Sequence, residues 1–589
     1  MKKWLPDHTT RESEGSAKGV RSDRQLLFER FSARKLLRDN YYGLITGESA
    51  VLKSKKNRRL AEHIIDHSVN ETDVNLVPAL KSISADNHAD ESLRQRASEA
   101  VEIIQERWSA SLKKRSSLPQ DSEEGRKAHA RVLLAGTRSP QTSEILRLLR
   151  DKSPEQKRAG LYIIGKFRLT DMSAEVCECL THPVLARDAF SVLRSFGSES
   201  VRYLQKFYFS SSGNIAASKT IIRLMGSDCI EEGKSFLLSL IGTTSRQIRE
   251  LTMRYLTECQ FKAGEEDKNH LDHLIADTGA VITWILSLKV NLDKNRDELL
   301  VKELGKEYNR WKSFLDGLIS LAYIDEPGKR TDERGRKGLM PDWINEAFGP
   351  SGTGGPDLQH DGSSFRKLLR RLTGYFPSRI PDYDILHEDI INCDYNLLSI
   401  WTKACAVRNI GEVGDEDMAE SVIALLFSPG ELLREEAGRL IARSGKDLYM
   451  KAIGRVPPAE KEKLEGIMSG RTGENAFLFE KVLFLSACFR EIPEDELLLL
   501  AGKMKYLTHD IAGLLLPADG FILWIFGKDK SDPYMMVEYE APGTRTGPLH
   551  LPDDTEFCYL LPLSAVEEFD YQFTESSSRI YEFIDDNEG

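Results

Sequence analysis

Two pairs of histidines have the spacing of metal ligands on a helix. His63 and His67 are four residues apart in AEHIIDH, and His270 and His273 are three apart with an aspartate between them. Residues three or four apart lie on one face of a helix, where they can bind one metal ion. The zinc-protease motif requires Glu directly after its first His, and Ile64 occupies that position. We therefore interpret both pairs as structural histidines and expect no metal.

Other motifs that carry chemistry are weak or missing. SGTGG at 351–355 has the glycine content of a phosphate-binding loop but lacks the GK[ST] ending and a preceding apolar strand. No G-x-S-x-G motif occurs, and the 8 cysteines include no CxxC pair, with only Cys177 and Cys179 close together. We expect no catalytic residue, no structural zinc and no cofactor.

Composition and charge indicate a folded protein with charged ends. The 589 residues are 40% hydrophobic and 29% charged, which excludes wholesale disorder. Residues 1–60 contain 15 basic and 7 acidic groups, whereas residues 530–589 contain 3 basic and 14 acidic groups. We interpret these ends as a solvent-exposed basic N-terminal segment and an acidic C-terminal segment.

One basic run is a candidate partner-binding segment. KSKKNRR at 53–59 supplies Lys55, Lys56, Arg58 and Arg59, which can contact phosphates or an acidic protein. The net charge of −11 argues against a broad nucleic-acid-binding face. Nucleic-acid binding is therefore kept only as a second alternative function.

The cellular location follows from missing targeting segments. The N-terminal sequence has two lysines but no apolar stretch of the signal-peptide type. The longest apolar run, Ile511 to Gly527, is interrupted by Pro517 and Asp519. We expect reduced cysteines, a cytoplasmic protein and no direct membrane insertion, with any position at the inner membrane mediated by a partner.

A repeating pattern predicts most of the fold. Turn residues, then a helix, then a small residue recur, so that Gly165, Gly197 and Gly226 are 32 and 29 residues apart. Gly411 and Ala442 repeat the interval at 31 residues. Periods near 30 with two helices per unit are typical of an α-solenoid, in which neighbouring helix pairs share a core. The pattern resembles HEAT repeats and implies a mainly α, armadillo-like solenoid.

The last part of the chain has a different pattern. Residues 477–589 read as helix, turn, helix, several strands and a closing helix, an order that resembles a cyclic-nucleotide-binding domain. That resemblance implies a small α+β module of the β-roll type, with Glu540 and Arg545 as vestigial ligand residues. The Gly-Glu pair of that family is missing, and APGTRTGPLHLPDD stands where the phosphate-binding cassette is expected. We predict a degenerate module that binds no nucleotide and contacts a partner through Phe573 and Tyr581.

The predicted organisation joins these parts in one chain. HEAT-like repeats followed by such a module resemble the soluble tail of bacterial nucleotide-transporter-like (ATP/ADP translocase-like) membrane proteins, without their membrane bundle. Longer helices are expected within the array. The aromatic run Phe207–Phe209 could be an exposed patch, but we interpret it as the edge of an inter-repeat core. The predicted segments are a disordered 1–22, repeats at 23–261, a longer-helix insertion at 262–324, a Gly/Pro-rich loop at 325–364, repeats at 365–455, a linker at 456–476 and the module at 477–589.

These expectations converge on one functional hypothesis. A curved helical stack offers a large surface without visible catalytic residues, so we expect a non-catalytic scaffold or adaptor for protein partners. The resemblance to a transporter tail implies docking to a membrane-associated complex. The first alternative is a cyclic-nucleotide-responsive regulator, and the second is a nucleic-acid-binding solenoid.

Overall fold

A computed structural model gives the fold, and several predicted segments lie outside the part that it describes. Among these are the N-terminal 1–22, the Gly/Pro-rich 325–364 and most of the linker 456–476. Apart from single positions and the short gaps 228–230 and 414–415, the described residues are 40–45, 58–115, 129–135, 140–323, 383–458, 478–508, 520–527, 534–538 and 555–573, with a few scattered positions elsewhere.

The first three helices have a core of their own. Buried side chains that include Ile64, Leu80 and Ile104 pack together in this cluster. Tyr41 and Ile45, from the helical stretch 40–45, pack against both this cluster and the main core. The helices are α1 (Arg58–Glu71), α2 (Val77–Ala85) and α3 (Glu91–Arg115).

The next helices form the region in which the repeat was predicted. Pro154 occupies the first turn of α5, where its missing N–H costs nothing. Gly197 follows α7 with φ at +62°, a conformation that glycine adopts without strain. The helices are α4 (Thr142–Leu149), α5 (Pro154–Lys166), α6 (Ser173–Glu178), α7 (Ala186–Phe196), α8 (Val201–Ser210), α9 (Ile215–Ser227), α10 (Glu231–Leu240) and α11 (Arg246–Glu258).

Two long helices follow, as predicted for 262–324. Helices α12 (Glu265–Asn291) and α13 (Glu298–Tyr323) contain 27 and 26 residues and pack against each other. Sequence reasoning missed that 266–289 in α12 is long and apolar enough to cross a membrane by length and composition, with a mean hydropathy of 1.3. Packing accounts for much of this apolar character, because Leu271, Ile282 and Leu288 are buried in the main core.

The remaining helices continue the same packing. Ser399 caps α15 by accepting a hydrogen bond from the Thr402 amide at 3.0 Å. In the described part, α5, α7, α9, α11, α13, α15, α17 and α19 contact one another in series. The added helices are α14 (Tyr383–Asn392), α15 (Ile400–Asn409), α16 (Glu416–Leu425), α17 (Glu431–Arg443), α18 (Lys446–Arg455), α19 (Leu478–Cys488) and α20 (Glu494–Lys503).

Two of the repeated glycines lie at close helix contacts. A Cβ atom on Gly226 would overlap the side chain of Tyr255, and one on Gly165 would overlap the Tyr42 ring. Only glycine leaves room for these rings, which explains the small residue at this point of the repeat.

All described strands lie within 477–589, where strands were predicted. They form one antiparallel sheet in the order β1-β4-β2-β3, followed by α21 (Leu563–Gln572). Trp524 of β2 joins the main core, where Phe484 of α19 contacts its ring at 5.4 Å, whereas Leu523 faces a separate small cluster. The strands are β1 (Lys505–Thr508), β2 (Phe521–Gly527), β3 (Tyr534–Glu538) and β4 (Thr555–Pro562). The prediction of a mainly α fold with a small C-terminal sheet is confirmed for the described residues.

Candidate functional site

Most of the predicted ligand and partner residues lie outside the described part of the chain. Glu540 and Arg545, on which the cyclic-nucleotide alternative depends, are among them, so that alternative stays a prediction. Arg58 and Arg59 open α1, but their side chains are not described. Lys55, Lys56 and Tyr581 are also outside it.

The predicted histidine pairs lie on α1 and α12. His270 and His273 are exposed on α12, and His67 is half-buried on α1, whereas the side chain of His63 is not described. Within the described residues, no three His, Cys, Asp or Glu side chains are grouped so that they could hold a metal ion.

Four cysteines of the helical region and the sheet are protonated at neutral pH. Burial raises the pKa of Cys177 to about 12, of Cys179 to about 11, and of Cys488 and Cys558 to about 12. A thiol needs a lowered pKa to act as a nucleophile. These four side chains therefore act as small apolar groups in the core.

Phe573 requires a correction, because it is not an exposed contact residue. Its side chain is only 8% exposed and belongs to the main core. The ammonium group of Lys219, on α9, lies 4.4 Å from the centre of the Phe573 ring, and Phe569 packs on the same ring at 5.0 Å. The end of α21 is therefore buried against the helical region and is not available to a partner.

Polar contacts fix α21 to the same helices. Asp570 forms an ion pair with Arg187 of α7 at 2.8 Å, although the two residues are 383 positions apart. The Tyr571 hydroxyl donates to the Leu180 carbonyl at 2.9 Å. Helix α21 is thus connected to the first half of the chain by charged and aromatic contacts.

A buried charged cluster joins α11, α13, α15 and α20. Arg246 of α11 donates to Glu307 at 3.1 Å and to Asp495 at 3.0 Å. Glu307 is 1% exposed and also accepts hydrogen bonds from the Ser399 amide and the Thr402 hydroxyl. Burial acts to raise the pKa of Glu307, but Arg246, Arg310 and Ser399 outweigh burial and hold it below its usual value. This carboxylate is therefore charged in the interior, and Arg246 is its main partner.

A second ion pair crosses between α13 and α20. Lys306 contacts Glu494 and, at 3.0 Å, Glu303. Burial lowers the pKa of Lys306, but the hydrogen bond to Glu494 and the charge of Glu303 outweigh burial and raise it. Charged contacts from α11 and α13 to α20 thus cross the predicted domain boundary at residue 477.

An aromatic surface lies at the end of α8. Phe209 is 67% exposed, whereas its neighbours Phe207 and Tyr208 are half-buried against the main core. Phe207 and Tyr208 pack on the core as the core-edge interpretation predicts, whereas Phe209 is largely exposed although its ring contacts the buried Phe236. Ile215, at the start of α9, is 49% exposed. The KFYFSSS sequence at the end of a helix was the only signal for this surface.

Comparison of this chain with family models, with curated proteins and with solved structures gave no match.

Proposed function

We propose that this chain is a non-catalytic scaffold that binds a protein partner through the end of α8. The surface consists of Arg202, Lys206, Phe209 and Ile215 and is called the α8 surface below. The observation that carries the proposal is the 67% exposure of Phe209, the largest exposure among the large apolar residues of the described part. Aromatic side chains are enriched at protein interfaces relative to the rest of the surface.

The Phe209 ring has fixed neighbours although it is exposed. It meets Tyr208 edge-on at 5.6 Å and Phe236 edge-on at 5.9 Å. These contacts limit its rotation, so a partner would lose little entropy in covering it. Rigid aromatic anchors of this kind dominate the binding energy of many interfaces.

Charge on the same helix face suggests the chemistry of the partner. Arg202, Lys206 and Phe209 are spaced by four and three residues, which places them on one face of α8. Arg202 and Lys206 are exposed, and neither forms an ion pair within the described residues. The proposed partner therefore presents an acidic segment that carries an apolar side chain.

The serial packing of alternate helices from α5 to α19 supports a solenoid of the HEAT type as the framework of this scaffold. Two helices before the sheet and one after it agree with the proposed degenerate cyclic-nucleotide-binding-like module. The ion pairs that join this module to the helices suggest a role as a structural cap.

Affinity purification from the native host with quantitative mass spectrometry tests the proposal. The full chain, Phe209→Glu and Lys206→Glu are compared, with Met450→Glu as the matched control, because Met450 is 58% exposed on α18. We expect one partner to be recovered with the wild type and the control but lost with the two α8 variants. A synthetic peptide from the acidic segment of that partner should then bind the wild type.

Because Phe209 is exposed, a loss of partner binding in Phe209→Glu would not be caused by unfolding. A substitution there removes little buried surface, so thermal unfolding of Phe209→Glu should match that of the wild type. Equal recovery of every protein by the wild type and both α8 variants would refute the proposed surface.

A further inference from the structure

Three arginines meet at a small pocket between α15 and α17. Arg408 comes from the last turn of α15, and Arg439 and Arg443 come from α17. The pocket has a volume of about 60 Å³ and is lined by these arginines together with Glu436 and Leu440. One water molecule needs roughly 10–15 Å³ measured in this way, so the pocket has room for about five heavy atoms.

Two of the arginines are already paired. Glu436 accepts hydrogen bonds from Arg408 at 3.2 Å and from Arg439 at 3.3 Å. Glu480 of α19 accepts from the same two groups at 2.8 and 2.9 Å. The Arg408 guanidinium also lies over the Phe479 ring, 4.1 Å from its centre. These contacts fix the position of two guanidinium groups and leave no carboxylate for the third.

The third arginine has no anionic partner in the described part of the chain. Arg443 donates through Nη2 to the backbone carbonyls of Arg408 and Ile410, and to nothing else there. Partial desolvation lowers the pKa of Arg443. The charge of Glu436 acts to raise this pKa, and the charges of Arg408 and Arg439 lower it further. Arg443 is an exposed residue, so its Nε and Nη1 groups are solvated donors beside the pocket. Three guanidinium charges there face only the two carboxylates of Glu436 and Glu480.

Glu436 also has an unused acceptor. Both of its hydrogen bonds involve Oε1, so within the described residues Oε2 has no partner although the residue is only 3% exposed. This oxygen is not fully enclosed by protein, so a group bound in the pocket can donate to it. The pocket thus combines unused guanidinium donors with one unused carboxylate acceptor.

We propose that this pocket binds a phosphate-class oxyanion through Arg443, with Glu436 accepting a hydrogen bond from a P–OH group. Guanidinium groups bind phosphate oxygens through charge-assisted hydrogen bonds. Hydrogen phosphate has both the oxygens for Arg443 and a hydroxyl for Glu436. Sulfate is fully ionised at neutral pH, so it lacks the hydroxyl and would meet Glu436 as a like charge. The site therefore selects phosphate over sulfate.

Isothermal titration calorimetry of the full chain with inorganic phosphate tests this site. The buffer contains no other oxyanion, and ionic strength is held constant with sodium chloride. We expect saturable heat with phosphate and an affinity for sulfate that is about tenfold weaker, the effect of losing one charge-assisted hydrogen bond.

Variants on α17 and just after it assign the binding to the pocket. Arg443→Gln should weaken phosphate binding by about tenfold or more, and Arg443→Lys by less, because lysine keeps the charge but not the planar fork. Lys446→Gln is the matched control, since Lys446 is exposed three residues further along. That control should change the affinity by less than about twofold.

Three outcomes would overturn the proposal. They are the absence of saturable heat with phosphate, equal affinities for phosphate and sulfate, and an unchanged affinity in Arg443→Gln. Circular dichroism of each variant shows whether it is folded, and Arg443→Lys provides the comparison if Arg443→Gln does not fold.

Discussion

Removal of the charge at Arg246 tests how much the charged cluster between α11, α13 and α20 contributes to the stability of the fold. Arg246→Met replaces the guanidinium with an apolar side chain of similar length. Glu307, 1% exposed, and Asp495 would then share one site without their common partner. The variant keeps the packing of the arginine stem and removes only the charge and its donors.

The burial of the cluster gives the expected loss in the free energy of unfolding. Breaking a buried ion pair by removing one partner costs about 3–5 kcal/mol, because the other charge is left uncompensated. Arg310 lies 3.6 Å from Glu307 and offsets part of this loss, so the lower end of the range is expected. Arg254→Met is the matched control, since Arg254 is exposed on the same helix.

The dependence on pH gives the prediction a second test. In the wild type the pKa of Glu307 is lowered, so its stabilising effect is complete above the unfolded pKa of about 4.3 and is lost as pH falls through the folded value. Without Arg246 we expect burial to raise this pKa. The variant should then gain stability relative to the wild type as the pH falls from 7 towards 5.

Urea unfolding followed by circular dichroism at both pH values provides the measurement. We expect Arg246→Met to unfold at a lower urea concentration than the wild type. The difference between the two midpoints should be smaller at the lower pH. The reasoning would be refuted if Arg246→Met lost less than about 1 kcal/mol of unfolding free energy or if Arg254→Met lost as much. It would also be refuted if the difference from the wild type were the same at both pH values.

Two other substitutions test the packing and the buried charge. Gly226→Ala should cost about 1–3 kcal/mol in urea unfolding, because the new methyl group overlaps Tyr255, whereas Gly213→Ala meets nothing within 4 Å and should be nearly neutral. Similar midpoints for the two glycine variants would contradict the close contact. Burial raises the pKa of Asp316 to about 6, against the opposing charge of Lys312, so its ionisation destabilises the fold as the pH rises through that value. Asp316→Asn should therefore stabilise the chain by about 1 to 2 kcal/mol near pH 8 and by less near pH 5, and a gain independent of pH would count against this account.

Local patterns in the sequence were sufficient to predict the elements. The spacing of Gly165 and Gly226 marked positions where helices approach closely, and both glycines lie against tyrosine rings. The long helices of 262–324 were predicted at their observed positions, and the strands were predicted within 477–589, where the structure places them. Such features depend on residues within one or two turns of each other, so periodicity and turn residues are enough to identify them.

Tertiary contacts decided which side chains form the charged clusters and which are exposed. Arg246 meets Glu307 and Asp495 from 61 and 249 positions away, and Arg187 meets Asp570 from 383 positions away. Phe209 and Phe573 are the same residue type at the ends of helices, yet one is 67% exposed and the other 8%. Helical periodicity places a side chain on a face of its own helix, but burial depends on which distant segment packs against that face. Only the folded chain brings those segments together. For this reason the arginine pocket was not predicted from the sequence, and an exposed surface at Phe209 was only the less favoured alternative.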